Sequence, residues 1–159
     1  MFSKREAKQL RQEFWTSFGK SFTKDWILYN TKVKGLSFKF HFDVKTAYVA
    51  FCIDMPPTKQ KAYWNRFVSH KTILETEFLP PIKFEECFEV SENKYISAIY
   101  VSMESEVSIH NKSTWREVME FLNETMLKFE AFYDLYKNTI KILVLTAFKV
   151  GILIRDKKD

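Results

Sequence analysis

Residues 36 to 55, LSFKFHFDVKTAYVAFCIDM, leave this chain the fewest structural choices. Leu36, Phe38, Phe40 and Phe42 alternate with Ser37, Lys39, His41 and Asp43. Period-two alternation belongs to a strand with one buried face, because successive side chains point to opposite sides of a sheet. Asp43 to Thr46 then predicts a turn, with the Asp43 carboxylate bonding the backbone two residues on. The return segment, Ala47 to Asp54, is apolar at both parities, which predicts a central strand covered on both faces. Phe40 and Phe51 are expected in the core. The pair reads as a β-hairpin at the heart of a sheet.

The rest of the chain supplies elements to cover that sheet. Residues 3 to about 29 predict a helix, with Ser3 and Glu6 at capping-box spacing. Ala7, Leu10, Phe14, Phe18 and Phe22 form its buried stripe, and a break is expected between Gly19 and Lys24. Pro56-Pro57 ends the hairpin, and Thr58 is placed to cap a second helix running to about Phe78. Its expected buried side is Tyr63, Trp64, Phe67, Leu74 and Phe78. A second hairpin follows, with arms Phe84 to Val90 and Tyr95 to Met103 around the turn Ser91 to Lys94. Val107 to His110 predicts a short edge strand. Ser113 or Thr114 caps a last helix, with Glu117 at box spacing from Thr114, running to about Lys141. The expectation is one α+β domain over residues 1–141. Two hairpins form a mostly antiparallel four- or five-stranded sheet covered by helices, in the order α-ββ-α-ββ(β)-α. An apolar and then basic tail follows over residues 142–159.

Composition bounds the function. A chain of 159 residues is long enough to bury a core without disulfides or metal. Cys52 and Cys87 make no CxxC pair and read as two reduced thiols packed as small apolar groups. His41, His70 and His110 fall on different elements with no metal-ligand spacing, and Gly19, Gly35 and Gly151 form no phosphate loop. No metal or cofactor is expected. Glu85, Glu86, Glu89 and Glu92 cluster on the second hairpin, with Glu85 and Glu89 expected on one face as part of a polar surface. A restriction-type nuclease would place an Asp at a strand start and Glu-x-Lys on the next strand. Asp43 and Asp54 meet no such partner, and Glu92-Asn93-Lys94 lies in the expected turn.

The charge is segregated. Residues 1–45 carry net +6, residues 46–136 net −5 and residues 137–159 net +4. Such a chain is dipolar or self-complementary. Lys4, Lys8, Arg11 and Trp15, joined by Lys32, Lys34 and Lys39, form the candidate nucleic-acid surface, since phosphates need clustered cations and bases stack on aromatics. A solvated helix face competes with that reading. The amino terminus lacks an apolar segment of signal type, so a cytoplasmic protein is expected. The apolar run Ile140 to Ile154 is shorter than a spanning helix and holds Lys141 and Lys149, so no membrane partner is expected. Tyr133, Tyr136, Ile140, Leu143, Phe148 and Ile152 are more apolar surface than one terminal helix hides. They predict a homodimer through the C-terminal helix and tail.

Several segments together resemble a bacterial family filed as domain of unknown function 4268. They are RQEFWTSFGKSF (Arg11 to Phe22), WILYNTKVKGLSFKF (Trp26 to Phe40), FLPPIKFEECF (Phe78 to Phe88), ISAIYV (Ile96 to Val101) and VSIHNKSTWREVMEFLNETMLKFEAFY (Val107 to Tyr133). The likeness covers about residues 3 to 141 and leaves the tail without a counterpart. In longer relatives the domain follows a region that looks like a nuclease or restriction-type module. The resemblance therefore implies an accessory domain near restriction, DNA-processing or defence systems, and it carries no catalytic residues. The leading expectation is a non-catalytic interaction module with a protein partner. The alternatives are a nucleic-acid-binding module and a divergent restriction-type nuclease relative.

Overall fold

The computed structural model describes residues 2–78 and 81–158, with side chains as far as Val150. The described elements are α1 (Lys4–Ser21), β1 (Leu36–Phe42), β2 (Ala47–Ile53), α2 (Pro57–Ser69), a short α3 (Lys71–Ile73) running into a π-turn (Leu74–Phe78), β3 (Lys83–Ser91), β4 (Lys94–Ser102) and α4 (Trp115–Lys158). This is the expected α+β fold. The sheet is wholly antiparallel among these strands, in the order β1-β2-β4-β3.

The first hairpin forms as its alternation requires. Phe38 pairs with Phe51 and Phe40 with Val49. At the turn, the Asp43 carboxylate accepts from the amides of Lys45 and Thr46, both at 2.8 Å. Phe51 is buried, whereas Phe40 is half-buried against Trp15, Phe18 and Trp26. β2 is central, but its two faces differ. One face, with Val49, Phe51 and Ile53, joins the main core under α1, α2 and α4. The other holds a smaller cluster of Ala50, Cys52, Ile96, Ala98 and Tyr100, to which strands alone contribute among the described residues. Among the described residues no helix covers it, contrary to expectation. Tyr48, Phe88 and Tyr100 lean together at 5.1–6.0 Å and shield the small alanines beneath.

Several boundaries depart from the sequence reading. α1 has its capping box from Ser3 and Glu6 and stops at Ser21, inside the expected break, but residues 22–35 do not resume the helix. Phe22, Trp26, Ile27 and Leu28 then reach the core from irregular backbone, as a single helical stripe cannot. That segment is tied down by α4. Buried Glu130 accepts from the Ile27 amide at 2.8 Å and from Lys24 Nζ at 2.7 Å, and the Tyr133 hydroxyl donates to the Thr31 carbonyl at 2.6 Å. Gly35 has φ +93°, and a Cβ there would lie 2.7 Å from the Asp54 carbonyl oxygen, so only glycine fits. Thr58 does not cap α2. Pro57 occupies the first turn, where its missing N–H costs nothing.

Val107 to His110 is not a strand. Val107 and Ile109 plug the core, and the Ile109 amide donates to the Asp43 carbonyl at 3.0 Å, a lone contact under the hairpin turn. Asn111 caps the following 3-10 turn, Lys112–Thr114, and Thr114 Oγ1 turns back to the Ser108 and Asn111 carbonyls, so neither Ser113 nor Thr114 caps α4. α4 does not end near Lys141 but runs on to Lys158.

Candidate interaction surface

At 1.5 Å per residue, the 44 residues of α4 span roughly 65 Å. One side of the helix is spent on the core, through Val118, Leu122, Met126, Phe129, Phe132 and Tyr133, then Ile140 and Val144. The first six pack on the sheet and its neighbours, where Tyr133 sits 5.6 Å from the Phe38 ring. Further along, Phe132 and Tyr136 meet His70 and Phe78. These contacts correct part of the dimer expectation. Tyr133 and Ile140 are core residues of their own chain, and Tyr136, Leu143 and Phe148 are half-buried. Ile152 lies outside the described side chains.

The free stripe is the opposite face. Leu127, Ala131, Leu135, Asn138, Ile142, Leu145 and Lys149 recur at spacings of three and four, and all are exposed. Leu135, Ile142 and Leu145 are 65%, 62% and 59% exposed. Single exposed leucines are ordinary, but an aligned row of them marks a contact surface. The sequence reading missed this row because it ended the helix at Lys141 and assigned the more aromatic face to association. The three-four spacing was the signal that was there to be read.

The same helix carries opposite charges along its length. Residues 115–134 hold two cations and five carboxylates, whereas residues 135–150 hold Lys137, Lys141 and Lys149 and no carboxylate. Lys137 reaches Asp134 at 3.4 Å, and Arg116 reaches Glu120 at 3.3 Å. Among the described residues, Lys141, Lys149 and Glu124 lie in no ion pair.

The candidate nucleic-acid residues do not form one surface. Lys4, Lys8 and Arg11 stand exposed in a row on α1, with no ion pair among the described residues. Trp15 is half-buried, with its ring edge-on to Phe14 at 4.8 Å and to Phe18 at 5.9 Å, so it is part of the packing rather than a free stacking platform. Lys32 and Lys34 are exposed in the loop before β1, Lys32 with φ +67°. Lys39 lies opposite Ala50 on the sheet face turned away from α1.

Other groups that carry chemistry stay apart. The registers Glu85↔Ala98 and Phe88↔Ile96 flank a bulge in β3. The extra residue turns Glu85 and Glu89 to opposite faces, which corrects the expectation that they share one. The Tyr100 hydroxyl donates to Glu85, and burial with that bond pushes the phenol up to about 12. Cys52 is buried and its thiol is pushed up to about 11 by burial, which keeps it protonated and inert. Cys87 is exposed, not packed as expected. His41 stacks on Tyr48 at 4.3 Å and bonds Asp43 at 2.8 Å, while His70 and His110 lie on other elements. Among the described residues no three His, Cys, Asp or Glu side chains converge as a metal site. The void between Phe38, Phe51, Phe67 and Phe129 measures about 10 Å³, too small for an organic ligand. No described helix is long and apolar enough to cross a membrane.

No curated protein and no solved structure matches this chain. A family model described as Domain of unknown function (DUF4268) matches residues 10–137, from the second turn of α1 to the middle of α4, and the chain belongs to that family.

Proposed function

We propose that this protein is a non-catalytic interaction module that works through the solvent-facing stripe of α4, as an accessory domain in a restriction or DNA-processing context. The observation that carries the interaction reading is the row Leu135, Ile142 and Leu145, exposed on a helix whose opposite side is already committed to the core. A helix apolar on one side packs that side; a helix with a second exposed apolar row has packing left to do. The DNA-processing context rests on the family resemblance alone. The test is the triple variant Leu135→Ser, Ile142→Ser, Leu145→Ser. In dilute solution, where association contributes nothing, its denaturation midpoint should equal that of the unchanged chain. A clear loss of stability would mean that the row is core, and the reading would fall.

A second reading, nucleic-acid binding, is favoured by the unpaired row Lys4, Lys8 and Arg11. Phosphate contacts carry no sequence information and weaken steeply with salt. Reversing Lys8 and Arg11 to Glu should therefore abolish binding to every labelled DNA or RNA alike in an anisotropy titration at low salt. No binding by the unchanged chain removes this reading.

A further inference from the structure

We infer that the occupant of the α4 stripe is a second copy of this chain, paired antiparallel about Asn138. The inference rests on the interaction reading above and adds the partner and its direction. Leu127, Ala131 and Leu135 lie 11, 7 and 3 residues before Asn138 and Ile142, Leu145 and Lys149 lie 4, 7 and 11 after it, symmetric to within one residue along the exposed face. Laid antiparallel on itself at that point, the row sets Ala131 against Leu145 and Leu127 against the Lys149 stem, with Leu135 and Ile142 neighbours one residue out of step. Large side chains meet small or complementary ones, as helix–helix packing requires. The two Asn138 amides meet at the dyad. Each amide both donates and accepts, so identical copies satisfy one another, and a lone polar residue in an apolar seam fixes register.

Charge selects the direction. A parallel pair would bring Lys137, Lys141 and Lys149 of both copies together, and likewise the carboxylates of the first half. An antiparallel pair sets Lys141 beside Asp134 and Lys149 beside the turn of Glu124. On α4, Lys141, Lys149 and Glu124 are in no ion pair among the described residues, as are Glu117 and Lys128. Like charges across a seam oppose the wrong arrangement and opposite charges favour the right one.

The experiment is a mass measurement by light scattering and sedimentation on the full chain, under reducing agent because Cys87 is exposed. The unchanged chain should weigh as a dimer at high micromolar concentration. Lys141→Glu with Lys149→Glu should each time weaken self-association, the pair by about tenfold, and Glu124→Lys with Asp134→Lys should do the same. An equimolar mixture of the two double variants should restore a dimer as tight as the unchanged one. Dimers of each double variant that form undiminished, with no gain on mixing, overturn the antiparallel pairing. An unchanged chain that stays monomeric overturns the second copy as occupant. The stability of the triple serine variant reports separately on whether the row is free for any partner.

Discussion

From Trp115 to Tyr133, α4 buries Val118, Leu122, Met126, Phe129, Phe132 and Tyr133 at 3% exposure or less. From Asp134 to Val150 only Ile140 and Val144 are buried, while Leu135, Ile142, Leu145 and Val150 face solvent. Both stretches are helical and rich in leucine, valine and aromatics, so local propensity does not distinguish them. The difference lies in what the fold offers opposite. The first half crosses the sheet and is keyed to the loop before β1 by Glu130 and Tyr133. Among the described residues, the second half meets the end of α2 and the π-turn on one side through Tyr136. A side chain's apolarity says that it is to be covered; the neighbouring elements decide whether its own chain does the covering.

The largest expected effect is in the first half. Leu122 is fully buried, and Leu122→Ala should cost about 2–5 kcal/mol in a urea titration. A shift far smaller than that would mean that the first half is not keyed to the sheet. Next comes Glu130→Gln. It weakens the acceptor for the Ile27 amide and Lys24, and should cost about 1–3 kcal/mol while raising amide exchange in residues 22–35 before it does so elsewhere. Exchange rising equally along α4 would instead make Glu130 a general core residue.

A smaller effect depends on pH, at the turn that seats the start of α4. Burial raises the Asp43 carboxyl, but the His41 ring and the Lys45 and Thr46 amides outweigh it and hold the group below its ordinary value of 3.8. A depressed folded value means that the contribution is present above the unfolded value and is lost as pH falls through the folded one. The stability gap between the unchanged chain and Asp43→Asn should thus be constant near neutrality and close in acid. A gap that widened as the pH dropped would reverse the sign. The smallest effect belongs to the second half. Leu145→Ala should leave the dilute monomer's stability within error, although it is the same kind of truncation as Leu122→Ala.

Much of this fold is legible in the residues alone. The alternation from Leu36 to Phe42 admits one strand register, because a slip by one residue would turn four apolar side chains to solvent. The capping box at Ser3, the Asp43 turn and the family likeness were legible for the same reason, as local patterns with a local physical cause. The bulge after Glu85 was not. One extra residue reverses which face every later side chain takes, and nothing in FEECFEV announces it. The nucleic-acid residues were gathered by their nearness in sequence, yet Lys39 shares a strand with core phenylalanines and so faces away from α1.

The sequence by itself determined the element types, the buried stripe of α1 and the apolar content of α4, since each follows from periodicity within one element. Only the tertiary structure decided which face of α4 is spent. Both of its faces are apolar after Tyr133, and the choice between them is made by Phe78, His70 and Leu74, residues more than fifty positions away. A helix's pattern records how much surface it must hide. Where that surface lies relative to a neighbour depends on the crossing of two elements, a distance that no single stretch of sequence contains.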